Sequence, residues 1–434
     1  SVEWLKQNFD SPSVVIGHDC RYAGELFAET TAKVFANAGI KVFLAKGPVS
    51  TPMVSLGTLN KEASLGIVIT ASHNPPSYNG YKLKGHFGGP LLPKEIQEVE
   101  DLIPASNSVD LDALELEDFY TNGLIENVDL ETMYVDHVEA NFDMDSIRNS
   151  DMSFAYDAMF GSGQDVMRRL LPDIDFLHCD HNPGFNGTAP EPIHRNLREF
   201  SDMIKMADGQ INCGLATDGD ADRIGLYDSE GNFIDSHHII LLLIKYLVEE
   251  KKYTGKVVNA FSVTPKVKKM CDHYGLEYQV TKIGFKYIAG IMLTDDVLLG
   301  GEESGGIATK GHIPERDGIW MGLIIWEFMV KSGRTLEDLI EDVYEIVGSF
   351  KFERIDMHLK EEEKLAIVAN CENGVYTSFG DLEVRRVENV DGFKYFFDND
   401  EWVMIRASGT EPVLRTYAES SSNEGAFKIL EKVH

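Results

Sequence analysis

Positive charge is what this 434-residue sequence has least of: 40 Lys and Arg stand against 71 Asp and Glu, a formal net charge of -31. A field of that sign repels nucleic acid and anionic lipid surfaces, so neither is expected as a partner. An anionic small substrate stays admissible only where basic side chains gather locally. Cysteine is scarce too. The five, Cys20, Cys179, Cys213, Cys271 and Cys371, are odd in number, scattered and without CxxC or metal spacing. They read as reduced thiols, which points to a cytoplasmic setting. No basic-plus-apolar leader opens the sequence, and its longest aliphatic run, residues 239–244, is too short to span a bilayer. A soluble protein without a membrane partner is expected.

What is present is apolar residue, 43% of the chain, at a length that predicts three or four packed units. Strand-like Ser13 to Gly17, a helical pattern from Ala23 to Ala38 and strand-like Lys41 to Leu44 make one βαβ unit. The pattern recurs around residues 154–177 and again around 257–280, which predicts three α/β units of like design. Each is followed by a polar loop: Thr70 to Pro75, Thr217 to Arg223, and Gly300 to Gly306. Ligands of parallel sheets collect at the carboxyl ends of strands, so the three loops can share one cleft. Joints are expected near 144–152, along the helix 239–250 and around Gly348, with a hinge between 348 and 355. The tail reads as a meander, Gly380 to Val387, Lys394 to Phe397 and Trp402 to Ile405, with a terminal helix.

Four segments carry chemistry. Ser72, in Thr70-Ala71-Ser72-His73-Asn74-Pro75-Pro76, should stand exposed just past a buried strand, on a backbone stiffened by paired prolines. Asp218, Asp220 and Asp222 alternate with small residues, a spacing that lets one loop curl around a hard divalent cation. An EF-hand loop fails on the same residues, because its sixth position would be Arg223 and its twelfth Ser229. Arg406-Ala407-Ser408-Gly409-Thr410 offers a guanidinium, hydroxyls and backbone amides to a phosphate, with Arg415 as a second cation. Gly301-Glu302-Glu303-Ser304 offers carboxylates and a hydroxyl suited to sugar hydroxyls, and no GxGxxG opens a helix there.

These four segments, in this order and spread over nearly the whole chain, resemble the α-D-phosphohexomutase family, which includes phosphoglucomutases and phosphomannomutases. The resemblance implies three similar mixed α/β sheet domains plus a smaller C-terminal α+β domain around a central cleft. The boundaries expected are 1–148 for the phosphoserine domain, 149–250 for the metal domain, 251–348 for the sugar domain and 349–434 for the phosphate domain. It implies that Ser72 is carried as a phosphoserine beside Mg²⁺ held by Asp218, Asp220 and Asp222, with Ser72 itself a ligand. Glucose 1,6-bisphosphate is then activator and intermediate. Arg21 and Lys82 should contact the transferring phosphoryl group with His73 near the nucleophile, and Lys82 and Arg316 are candidates for acid/base work. Lys282, Glu302, Ser304, Arg406, Ser408, Gly409, Thr410 and Arg415 should bind substrate. Gly306 stands where some members carry a histidine, and the Gly-Thr segment with which members usually open is not found ahead of Val14. Phe285 and Tyr78-Asn79-Gly80 look more like glucose-preferring members, so glucose phosphate is expected with mannose phosphate second. A phosphoglucosamine mutase, a hexose-bisphosphate synthase, a phosphatase and an inactive sugar-phosphate sensor are the alternatives. The partners expected are sugar phosphates only, for a monomer or homodimer.

Overall fold

The computed structural model describes residues 1–107, 109–407 and 413–433. Its first strand, Ser13–His18, is a run of Val and Ile buried on both faces, as an interior parallel strand must be. The helix Gly24–Asn37 then buries Ala28, Ala32, Phe35 and Ala36, one stripe at helical spacing. Ser13–His18 pairs in parallel with Lys41–Ala45 on one side and Leu65–Ile69 on the other, and Leu65–Ile69 pairs antiparallel with Tyr81–Gly85.

The same arrangement is built twice more. Phe154–Asp157 lies parallel to Asp175–Leu177 and Cys213–Thr217, and the latter pairs antiparallel with Ile224–Tyr227. Lys256–Ala260 lies parallel to Tyr278–Thr281 and Val297–Gly301, which pairs antiparallel with Ile307–Thr309. The three polar loops are therefore equivalent connections. Each joins the third parallel strand of its sheet to the antiparallel strand beside it.

One continuous apolar cluster runs through all three sheets, from Val15 and Val54 through Tyr156 and Leu215 to Ile240, Leu299 and Trp326. Shared packing of that kind fixes how the loops face one another. The helix Ser236–Glu249, expected as a joint, is one of the most buried elements, and it lies against the third sheet. A Cβ on Gly301 would come within 2.8 Å of Ile240.

The C-terminal unit is a five-stranded antiparallel sheet ordered Lys351–His358, Val413–Ser420, Trp402–Ala407, Phe393–Phe396 and Arg386–Glu388. The single strand expected from Gly380 to Val387 is interrupted. Ser378–Phe379 and Leu382–Glu383 make their own hairpin, because Gly380 turns the chain at φ 58. Lys351–His358 pairs with its neighbour over its full length, so residues 351–355 of the segment expected as a hinge lie within a strand. This sheet has its own core around Tyr395, Val403 and Leu430. It meets the rest of the molecule through a small aromatic cluster, Phe261 against Phe396, Trp402 and Tyr417. Among the described residues no helix is long and apolar enough to cross a membrane, and all five cysteines are buried and unbridged.

Candidate active site

Ser72 sits three residues past the strand Leu65–Ile69 with φ 53, held there by a hydrogen bond of 2.8 Å from its amide to Thr70 Oγ1. Thr70 in turn donates to Asp19 Oδ2 at 2.6 Å. The serine is only 6% exposed, against the exposure expected of it. The Asp218 loop covers it: a Cβ on Gly219 would meet the Ser72 carbonyl oxygen at 2.6 Å, so only glycine permits this approach. Ser72 Oγ donates to Asp218 Oδ2 at 2.6 Å and lies 3.4 Å from His73 Nδ1.

Arg21 is held by acceptors of the protein itself. Its Nε donates to Asp19 Oδ2 at 3.2 Å, Nη1 to the carbonyls of Pro75 and Tyr78 at 2.9 and 3.1 Å, and Nη2 to those of Ser72 and Asn74 at 2.6 and 2.7 Å. Four of its five N–H donors tie down the segment 72–78 and the fifth goes to Asp19. Burial raises the Asp19 carboxyl to about 6, with Thr70 and Arg21 pulling the other way. Arg21→Lys is expected to lower stability by roughly 3 kcal/mol, because one ammonium cannot replace a planar five-donor fork. Turnover should fall with it. Thermal melts and steady-state rates check this, and wild-type values for both would refute the positioning role.

The three aspartates have oxygen atoms within 4.8 Å of one another and are fully buried. Ala221 at φ 54 curls the chain so that alternate residues face inward. Asp218 Oδ1 accepts from the amides of Asp222 and Arg223 at 2.9 and 3.1 Å, which fixes the curl. Asp220 Oδ2 accepts from Thr51 Oγ1 at 2.6 Å and Lys82 Nζ at 2.8 Å. Among the described residues no donor reaches Asp220 Oδ1 or Asp222 Oδ1, although both atoms are buried. Buried carboxylate oxygens left without a partner are costly, and a hard divalent cation with oxygen ligands is the group that this donor set fits. Burial, then Asp220 and Asp222, push the Asp218 carboxyl well above its usual range. Asp220 is held low: burial opposes this, but the Lys82 ammonium outweighs it.

Both expected acid/base groups keep their protons. Burial works against the Lys82 charge, yet Asp220 and Asp222 more than offset it and raise the pKa. Arg316 donates to Asp222 Oδ2 at 2.5 Å and lies 3.9 Å from Glu302 Oε2, and these carboxylates outweigh burial and raise its pKa as well. Arg316 also accounts for Gly306, since a Cβ at 306 would lie 2.4 Å from Arg316 Cδ. The guanidinium stem occupies the space that a side chain there would need. His73 is driven the other way, down to about 2, by burial first and then by Arg223 and Lys82.

Glu302 Oε1 accepts from the Gly284 amide at 2.9 Å, and burial raises its pKa. Ser304 is half-buried in the same loop. Arg223, which the sequence marks only as a cation beside the loop, pairs in a bridge with Gly306, and its buried Nε meets no acceptor among the described residues. Its place directly after the third aspartate was the available signal. Glu303 pairs with Arg354 at 3.5 Å, and Arg354 with Asp356 at 2.7 Å, so the sugar loop touches the C-terminal sheet. Asp356 is also 3.8 Å from Arg415. Lys282 is exposed and makes no ion pair among the described residues. Arg406 borders a cavity of about 400 Å³ together with Asp391, Asn389 and Cys371. Ser408, Gly409 and Thr410 lie outside the described residues.

Comparison with known proteins gives the same assignment along the chain. Residues 1–110, 132–231 and 235–347 match the families described as phosphoglucomutase/phosphomannomutase, alpha/beta/alpha domains I, II and III. Residues 361–433 match the C-terminal domain of the same series. A phosphoglucomutase/phosphomannomutase of Thermococcus kodakarensis is 30% identical over 98% of this chain and 90% of its own. A phosphoglucosamine mutase of Methanococcus maripaludis is 29% identical over 98% and 91%. The crystal structure of a Thermus thermophilus protein assigned to the phosphomannomutases superposes with a TM-score of 0.86 at 30% identity, covering 100% of this chain and 91% of that one. With four matched domains in order and this coverage, the chain belongs to the phosphoglucomutase/phosphomannomutase family, the α-D-phosphohexomutases.

Proposed function

We propose that the chain interconverts hexose 1-phosphate and hexose 6-phosphate through a phosphorylated Ser72. The observation that carries this reading is the 2.6 Å contact between Ser72 Oγ and Asp218 inside a buried triad of carboxylates with unpartnered oxygens. When bound, Mg²⁺ supplies charge neutralisation next to the serine oxygen, and Asp218, Asp220, Asp222 and Ser72 would hold it.

A substrate hydroxyl oxygen bonds to the phosphorus as the bond from phosphorus to Ser72 Oγ breaks, which gives the hexose 1,6-bisphosphate. The other phosphoryl group then returns to Ser72 after the intermediate reverses in the cleft. Lys82 and Arg316 act as fixed positive charges. The hydroxyl proton goes to His73, whose Nδ1 lies 3.4 Å from the serine oxygen, and from there to Ser72 Oγ as that oxygen leaves phosphorus. Burial, then the neighbouring cations, keep this imidazole neutral at rest, and a phosphoryl dianion placed beside it raises its affinity for a proton. Glu302 and Ser304 orient sugar hydroxyls. Lys282, Arg406, Arg415 and the 408–410 segment take the phosphate that is not reacting.

Glucose phosphate is the substrate that this site fits, with mannose phosphate second. Asn79 spends its Oδ1 on the Gly80 amide at 2.9 Å, and Phe285 is buried with its ring 5.5 Å from the Arg316 guanidinium, so neither offers a carboxylate to an amino group at C2. A glucosamine phosphate substrate is the second reading, favoured by the names of several relatives. Coupled assays with the 1-phosphates of glucose, mannose and glucosamine decide between them. The expected kcat/KM is at least about tenfold higher for glucose, the discrimination one lost polar contact gives. A clear preference for mannose or glucosamine defeats the glucose assignment, and phosphate release without isomerisation defeats the mutase.

A further inference from the structure

The turn at 282–284 is held by carboxylates through two consecutive amides. The Gly284 amide donates to Glu302, in the sugar loop of the same sheet, whereas the Ile283 amide donates to Asp391 Oδ2 at 2.9 Å, across the boundary to the C-terminal sheet. Asp391 Oδ1 lies 3.5 Å from the buried Arg406 Nε, an ion pair in which no hydrogen bond is formed. One carboxylate thus touches both the guanidinium of the phosphate loop and the backbone next to Lys282.

The position is built for this contact. Asp391 occupies the turn between Arg386–Glu388 and Phe393–Phe396, and Gly392 after it has φ 100. A Cβ at 392 would meet the Ile405 carbonyl oxygen at 2.8 Å and Arg406 Cβ at 3.0 Å, so glycine lets the turn lie against the strand that carries Arg406. The Ile283 side chain packs on the Phe261, Trp402 and Met404 cluster that joins the two units. The carboxylate and the cluster thus hold the same turn.

The geometry points to Asp391 as a positioning residue that clasps Arg406 to the Lys282 turn, so that the two cations reach the non-reacting phosphate of a hexose phosphate as one unit. The inference rests on the mutase reading and adds the device that sets phosphate affinity. Because Asp391 touches no reacting atom, its loss weakens ground-state binding and leaves the chemical step in place.

Asp391→Ala and Asp391→Asn test it. In steady-state assays Asp391→Ala is expected to raise KM for the preferred hexose phosphate by roughly tenfold, the size of a lost charge-assisted contact, with kcat nearly unchanged. Asp391→Asn keeps an oxygen for the Ile283 amide and should recover part of that loss. Hydrogen exchange of peptides covering 281–286 reads the clasp without any turnover: it should quicken in Asp391→Ala and stay near wild type in Asp391→Asn. Equal exchange in all three proteins overturns the inference even where mutase activity is present, and so does faster exchange with an unchanged KM. Wild-type protein inactive on every hexose phosphate, with the exchange pattern as expected, overturns the mutase reading and leaves the clasp standing.

Discussion

Ser72→Ala is expected to lose at least about 10⁴-fold in turnover, as removal of a nucleophile does elsewhere, while the protein stays folded. The fold should survive for a reason that the sequence did not supply. Ser72 is buried, but its hydroxyl makes one strong contact, to Asp218, and its amide keeps the bond to Thr70 whatever the side chain. Arg21 still grips the carbonyls of residue 72 itself and of Asn74. The stability change should therefore be on the order of 1 kcal/mol. Intact-mass analysis after incubation with glucose 1,6-bisphosphate gives the second readout: wild type gains one phosphoryl group and the variant gains none. Retained turnover, or labelling of the variant at the wild-type level, removes the phosphoserine from the mechanism.

Asp218→Asn should separate the metal from the fold. The asparagine oxygen can still accept from the amides of Asp222 and Arg223, so the loop keeps its curl. Without a divalent cation the Asp218 carboxyl is already driven towards its uncharged form, so a neutral amide costs little there and the cation-free variant should melt at or near the wild-type temperature. Activity should fall by about 10²-fold or more, since charge on the transferring group is no longer balanced. The rise in melting temperature that added Mg²⁺ gives wild type, a linkage effect, should shrink or vanish. A variant that melts lower yet responds to Mg²⁺ like wild type would mean that the triad does not hold the ion.

Local residue patterns carried much of this. The Val and Ile runs, the helical stripes between them and the recurrence of the unit fixed three mixed sheets and a C-terminal unit of other character. The alternating aspartates announced a cation cage because the chemistry lies within one loop. Long-range packing carried the rest. Arg21 reads as a phosphate ligand by type, and only the carbonyls of residues 72–78 around it reveal a clamp. Lys351–His358 sets Phe352, Ile355 and Met357 among charged residues, an alternation that suits a strand but slips phase at Glu353-Arg354, and its pairing with a segment some sixty residues later makes it one.

The sequence by itself determined which groups this protein has for phosphoryl transfer and in which loops they lie, since residue type and spacing are local properties of the chain. Only the tertiary structure decided that Asp218 covers Ser72, that Thr51 and Lys82 share Asp220, and that Arg316 takes the space above Gly306. The contacts of Asp218 and Asp220 join residues more than a hundred positions apart. Their geometry is set by a common apolar core that no single stretch of sequence contains.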